Sequence, residues 1–178
     1  EYNFTFKGGG TGKTAIERPS SSHENDSNFH HIVCTWDKGD DNEMKIYVDG
    51  SLGATTGLAT VAISGDFDDT ADSTVGPDGT GGVEILSGTS FNGSADLNAF
   101  LDDFVLYSDV LSASEVETLY NSGKSDPGSY AELNNIVAHW KFNEGSGSTV
   151  TDSVNGFVGT LGTGATAPAF STNNAAGE

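Results

Sequence analysis

Apolar and polar residues alternate along several short stretches of the chain, which is the period of a β-strand. The alternation is clearest in residues 29–36 and 44–48. The dipeptide Asp49-Gly50 follows directly and is typical of a tight hairpin turn. Residues 15–28 are polar and rich in serine, which predicts a loop. Short strands separated by turns predict an all-β fold.

Within residues 29–36 the alternation divides the side chains between two faces. Ile32, Cys34 and Trp36 share one face, and Val33 and Thr35 share the other. Cys34 is the single cysteine of the chain, so no disulfide bond forms within it. Its apolar neighbours predict a small buried side chain rather than a reactive thiol.

Further strands are predicted at Val61–Ile63, at residues 83–86 and at residues 101–107. Residues 64–82 hold five aspartates among glycine, serine and threonine. So polar a segment is costly to bury, and it predicts a long surface loop.

A single short helix is predicted near residues 113–121. Ser112 and Glu115 have the spacing of a capping box, in which the serine hydroxyl accepts from the Glu115 amide and the glutamate carboxylate accepts from the Ser112 amide. Three larger side chains then recur at the spacing of one helix face: Val116, Leu119 and Tyr120.

Two blocks of the sequence resemble laminin-G-like domains, which are sandwiches of the concanavalin A-like lectin and glucanase class. Residues 101–107 open on Asp102-Asp103 and lead into the capped helix, as the closing segment of those domains does. Residues 36–37 and 46–50 read Trp-Asp and then Ile-Tyr-Val-Asp-Gly, which resembles their central hairpin. The resemblance implies an all-β, two-sheet antiparallel jelly-roll β-sandwich.

A third block, within residues 136–161, resembles the opening of such a domain, although it comes late in the chain. We therefore assign residues 1–123 to the middle and closing part of a sandwich, residues 124–135 to a linker and residues 136–178 to an opening-strand block. That block either completes a sandwich, of this chain or of a neighbouring copy, or begins the next repeat of a tandem array. Both alternatives remain open.

Charge and motifs exclude several function classes. The chain has 26 acidic and 7 basic residues, a formal net charge of −19. Such a field repels nucleic-acid phosphates and anionic lipid. No stretch approaches the ~20 apolar residues that a membrane span needs. The run Gly8 to Lys13 looks like a phosphate loop, but Lys7 stands where that pattern requires glycine.

Acidic residues raise two chemical alternatives, hydrolysis and calcium binding. Glucanases of this fold class carry Glu-x-Asp-x-Glu on one strand, and the chain has no such triplet. We therefore expect no enzymatic activity. The resemblance implies a structural calcium ion held by Asp152, with Asn155, and by Asp102 or Asp103. The alternative for Asp152 and Asn155 is an Asx-turn without metal.

Aromatic residues divide into expected core and expected surface positions. Four lie among apolar neighbours in predicted strands and are expected in the core: Trp36, Phe104, Trp140 and Phe142. Three are expected to be exposed: Tyr47, Tyr107 and Tyr130.

These observations predict a non-catalytic recognition or adhesion module, extracellular, on a cell surface or on a virion, that binds a glycan or a surface protein. Two alternatives remain. One is a structural repeat or decoration unit of a fibre, filament or virion, assembled by strand exchange between copies. The other is an accessory domain of a glycoside hydrolase.

Overall fold

The computed structural model describes seven stretches of the chain: residues 2–8, 11–17, 28–37, 43–53, 100–123, 135–162 and 169–171. All strand pairs in these stretches are antiparallel, and they are accompanied by one α-helix and one π-helical turn. The prediction of an all-β chain with one short helix is confirmed for this part. The predicted strands at Val61–Ile63 and 83–86, and the loop at 64–82, lie outside the described residues.

The first sheet is a hairpin of β1 (Tyr2–Gly8) and β2 (Thr11–Glu17). The prediction of a loop from residue 15 onwards is wrong for its first three residues. Strand β2 continues to Glu17 because β1 is equally long and Tyr2 pairs with Glu17, which gives the polar end of β2 a backbone partner.

The second sheet contains β3 (Ile32–Asp37), β4 (Glu43–Val48) and β5 (Ser51–Leu52), in that order. Asp49 and Gly50 join β4 to β5 with φ angles of 51° and 77°. Positive φ at both positions is the geometry of a tight two-residue hairpin turn. The predicted hairpin is therefore confirmed.

The two faces of β3 are used differently from the sequence prediction. Val33 packs against a buried cluster and Thr35 is buried, whereas Ile32 and Cys34 are exposed. The prediction that Cys34 is buried is wrong. Strand β3 lies at the edge of its sheet, whereas Ile46, the cross-strand partner of Cys34, lies in the central strand β4 in a cluster that Trp36 and Val48 pack against, so Ile46 is buried while Cys34 is not.

Two buried clusters hold the second sheet. The larger one joins the sheet to the helical region, with Val33 and Tyr107 packed against its members: Tyr47, Leu111, Val116 and Leu119. The smaller one lies on the opposite face of β4, with Trp36 and Val48 packed against its members: Met44 and Ile46. Both faces of β4 therefore contribute to the core.

Helix α1 (Ala113–Thr118) begins with the predicted capping box. The Glu115 amide donates to Ser112 Oγ at 3.3 Å, and the Ser112 amide donates to Glu115 Oε2 at 2.7 Å. The chain continues as a π-helical turn over Leu119–Gly123. No helix in the described stretches is long and apolar enough to cross a membrane.

The last two sheets each have two strands, and three of their four strands lie in residues 135–162. Strand β6 (Phe104–Tyr107) pairs with β7 (Ile136–Trp140), and β8 (Thr149–Thr151) pairs with β9 (Val158–Thr160). The β6–β7 pairing thus joins residues 135–162 to the rest of the chain.

Candidate functional site

The carboxylate of Asp152 organises the turn between β8 and β9. Asp152 is only 2% exposed. It accepts hydrogen bonds from the backbone N–H groups of His139 at 2.5 Å, Val154 at 3.0 Å and Asn155 at 2.7 Å. Two of these bonds go to Oδ1 and one goes to Oδ2, so three of the roughly four acceptor positions of the carboxylate are filled.

These hydrogen bonds determine the ionisation of Asp152. Burial by itself raises the pKa of the carboxyl group. Hydrogen bonds from backbone N–H groups stabilise the charged form and outweigh burial, so the pKa falls to about 2. Asp152 is therefore ionised at neutral pH.

The same turn closes one edge of strand β7. The carbonyl oxygen of His139 accepts from the Ser153 amide at 2.9 Å and from Ser153 Oγ at 3.1 Å. Asn155 Nδ2 donates to the Val137 carbonyl oxygen at 2.7 Å. Together with the bond to Asp152, these contacts satisfy backbone groups of β7 that point away from β6. An exposed row of such groups would otherwise attract another strand.

His139 connects this turn to the beginning of β6. Its side chain is 1% exposed, and Nε2 lies 2.6 Å from Asp103 Oδ1. Asp103 adopts a φ of 55°, in the left-handed region that L-residues other than asparagine and aspartate seldom use. The ring of His139 therefore contacts Asp103 while its backbone amide contacts Asp152, so one histidine brings together two of the predicted site residues.

The environment of Asp103 disfavours its charged form. Burial raises the pKa of the carboxyl group, and the neighbouring charge of Asp102 raises it further. The hydrogen bond from His139 and the charges of His139 and Lys141 act in the opposite direction but do not cancel the effect of burial.

The carboxylate of Asp152 is largely occupied by backbone donors. Oδ1 accepts two N–H groups and Oδ2 accepts one, so a cation would have to share or displace them. The Asx-turn alternative describes what the structure shows at this position. Asp103 contacts His139, and no three His, Cys, Asp or Glu side chains of the described stretches converge as a metal site. Calcium binding by Asp102, Asp103, Asp152 and Asn155 stays a prediction.

A pair of exposed aromatic rings lies elsewhere, at the entrances of β3 and β6. Phe29 is 38% exposed and Phe100 is 56% exposed, and their ring centroids are 6.4 Å apart. The segment before β3 is anchored because Asp49 contacts the two residues after Phe29. Asp49 Oδ2 lies 2.8 Å from His30 Nδ1, and Asp49 Oδ1 accepts from the His31 amide at 3.0 Å.

This aromatic pair was not among the predicted surface aromatics. Tyr47 is 3% exposed, so its predicted exposure is wrong, and Tyr107 packs against the larger cluster. Tyr130 lies outside the described residues. The predicted core aromatics are half-buried rather than fully buried: Trp36, Phe104, Trp140 and Phe142. Two of these, Phe104 and Trp140, face each other across β6 and β7 at 6.0 Å.

Comparison with protein families identifies the fold. A laminin-G family model, described as the concanavalin A-like lectin/glucanases superfamily, matches residues 1–117, which is more than half of the 178 residues. The chain belongs to the laminin-G-like family. The resemblance seen in the sequence is thus confirmed, and this superfamily implies a β-sandwich. No curated protein and no solved structure matches the chain.

The residues described above fall partly inside and partly outside the range that the laminin-G family model matches. Phe29, Phe100 and Asp103 lie within residues 1–117, whereas His139 and Asp152 come from the part of the chain beyond it. The aromatic pair therefore belongs to the family-matched part alone. The histidine contacts link that part to the later residues.

Proposed function

We propose that this laminin-G-like domain is a non-catalytic extracellular recognition module that binds neutral glycans, with Phe29 and Phe100 as the contact surface. The two-sheet jelly-roll sandwich is part of this proposal, because loops at the edges of such a sandwich are where ligand contacts are placed.

The exposed aromatic pair carries the proposal. Water still reaches both rings of this pair, so a substantial part of their apolar surface stays unburied in the free protein. Adjacent exposed apolar groups mark interaction sites more often than single ones do. Rigid aromatic side chains also give binding energy at a small cost in side-chain entropy.

The charge of the chain supports a neutral ligand. At a formal net charge of −19, sulfated or carboxylated sugars are repelled over distances of about 10 Å at ordinary salt concentrations. The apolar C–H faces of neutral sugars carry no charge to repel, and they match flat aromatic surfaces. We therefore expect neutral glycans to be preferred over anionic ones.

The test is a glycan array followed by titration of the best ligand, each in millimolar calcium and again in a chelator. Truncating an aromatic binding contact costs at least about 1.4 kcal/mol, or roughly tenfold in affinity. Phe29→Ala and Phe100→Ala are each expected to weaken binding by about this factor. The matched control is Phe157→Ala, which removes a phenylalanine of similar exposure, 53%, from the late part of the chain.

Two results would contradict the proposal. One is an array without binding in either buffer. The other is a loss of affinity in Phe157→Ala that equals the loss in Phe29→Ala. The comparison of calcium with chelator also shows whether the predicted calcium ion takes part in binding.

A further inference from the structure

We propose that residues 135–162, which we call the late block, have two alternative pairings. Their strand β7 pairs either with β6 of the same chain or, in an exchanged form, with β6 of a second copy of this chain. The occupant of β6 in this exchanged form is β7 of the second copy. The inference goes beyond glycan binding and does not depend on it.

The late block has its own internal hydrogen bonds. Asp152 holds its central turn, and β8 pairs with β9. The Leu161 amide donates to the Ser148 carbonyl oxygen at 2.9 Å, and the Thr151 amide donates to Glu144 Oε1 at 2.9 Å. These contacts are all made within the block, so they are kept whichever copy it joins.

The contacts between the late block and the earlier part of the chain include a short and continuous set on residues 103–109. Strand β7 pairs with β6, and the Ser108 amide donates to the Asn135 carbonyl oxygen at 2.8 Å. Asn135 Nδ2 donates to Asp109, and His139 contacts Asp103. Each partner is available in identical form on any other copy. The β6–β7 junction can therefore form between chains with unchanged contacts.

One feature limits how many copies join at each β7. The turn around Asp152 already closes the edge of β7 that points away from β6. Only the edge that faces β6 is left for pairing. Exchange is therefore one donor to one acceptor, and a reciprocal exchange closes as a symmetric dimer.

The β6–β7 contacts are the same in the self-paired and the exchanged form, so the protein concentration determines which form predominates. Residues 124–134 connect the two parts of one chain. A connection of that length gives a partner on the same chain an effective concentration on the order of 1 mM. Self-pairing therefore dominates in dilute solution, and exchange is favoured when chains fold together at concentrations near that value.

The experiment uses two single-cysteine variants of the full chain. Cys34→Ser removes the exposed native thiol in both. One then carries Leu106→Cys and the other Ala138→Cys. These two positions are cross-strand partners in β6 and β7. Opposed residues of antiparallel strands lie about 4.5–5.5 Å apart between Cα atoms, within the range of a disulfide.

The two variants are unfolded, mixed, refolded together in an oxidising buffer and analysed on a non-reducing gel. A disulfide between the two variants is expected where β6 of one copy pairs with β7 of the other. The linked fraction is expected to rise roughly tenfold for each tenfold increase in concentration below about 1 mM. Mixing after separate folding in dilute solution is expected to give little linkage.

Random collision is controlled by replacing Ala138→Cys with Val158→Cys. Val158 is 65% exposed and lies in β9, whereas Ala138 is 1% exposed. Collision would link the exposed position more readily, and exchange links the buried one. Equal linkage in both mixtures overturns the proposal.

A second measurement does not rely on the cysteine pair. The Cys34→Ser protein is refolded at about 1 mM and its mass is measured after rapid dilution by sedimentation or light scattering. A dimer, or a series of larger species, supports exchange. Monomer alone, with no linkage in the cysteine mixture, overturns it.

Discussion

Replacing Asp152 with alanine is expected to destabilise the protein strongly, because one carboxylate accepts from three backbone donors. Two of these N–H groups, those of Val154 and Asn155, belong to exposed residues, where water can replace the lost acceptor. The third belongs to His139, which is 1% exposed, and it is left without a partner. A buried unsatisfied donor costs about 1–3 kcal/mol, and each hydrogen bond replaced by water costs about 0.5–1 kcal/mol, so the expected loss is about 2–5 kcal/mol.

Thermal unfolding followed by circular dichroism measures this loss. For a chain of this size, about 2–4 °C of Tm corresponds to 1 kcal/mol, so Tm is expected to fall by roughly 10 °C. Glu144→Ala is the matched control. It removes an exposed carboxylate that accepts a single bond from the Thr151 amide, and we expect it to cost less than about 1 kcal/mol.

The pH dependence gives a second and independent check. The folded-state pKa of Asp152, about 2, lies below the ordinary value of 3.8. Its contribution to stability is therefore present above the ordinary value and is lost as the pH falls towards 2. The difference between the wild-type protein and Asp152→Ala should shrink over this interval. A loss below about 1 kcal/mol at neutral pH, or a difference that does not change with acidification, would refute the reasoning.

Two further substitutions test the turn at β4–β5 and the contact between His139 and Asp103. Gly50→Ala places a Cβ 3.0 Å from Tyr120 at a φ of 77°, so urea unfolding should show a loss of about 2–4 kcal/mol. Asp103→Asn removes a carboxyl group whose pKa is raised by burial, and such a group contributes stability below its ordinary pKa that is lost as the pH rises. Relative to the wild-type protein, Asp103→Asn should therefore gain stability as the pH rises from acid to neutral, and an unchanged difference would contradict this sign.

Local sequence patterns predicted the elements that local interactions determine. The capping box needs only Ser112 and Glu115, which are three residues apart, and the hairpin turn needs only Asp49 and Gly50. In both cases the interacting groups are neighbours in the chain. Their geometry follows from residue type and spacing alone.

Features set by distant residues were predicted less well. Alternation in β3 identified its two faces correctly, but the helical region, which is distant in sequence, packs against the face of Val33 and not against that of Cys34, so the burial of Cys34 was predicted wrongly. The Phe29–Phe100 pair joins two segments far apart in sequence, and no spacing rule relates them. For Asp152 the sequence left two alternatives, and one of the donors to its carboxylate comes from the backbone of β7, which is distant in sequence.

The double role of His139 has a consequence for how the molecule opens. Its backbone amide donates to Asp152 in the turn that follows β8, and its ring contacts Asp103 at the start of β6. Local opening of either region breaks a contact that stabilises the other, so the two regions should open together as one cooperative unit. Amide protons at Val154 and Asn155 should then exchange with solvent deuterium at the pace of those in β6, despite lying on an exposed turn.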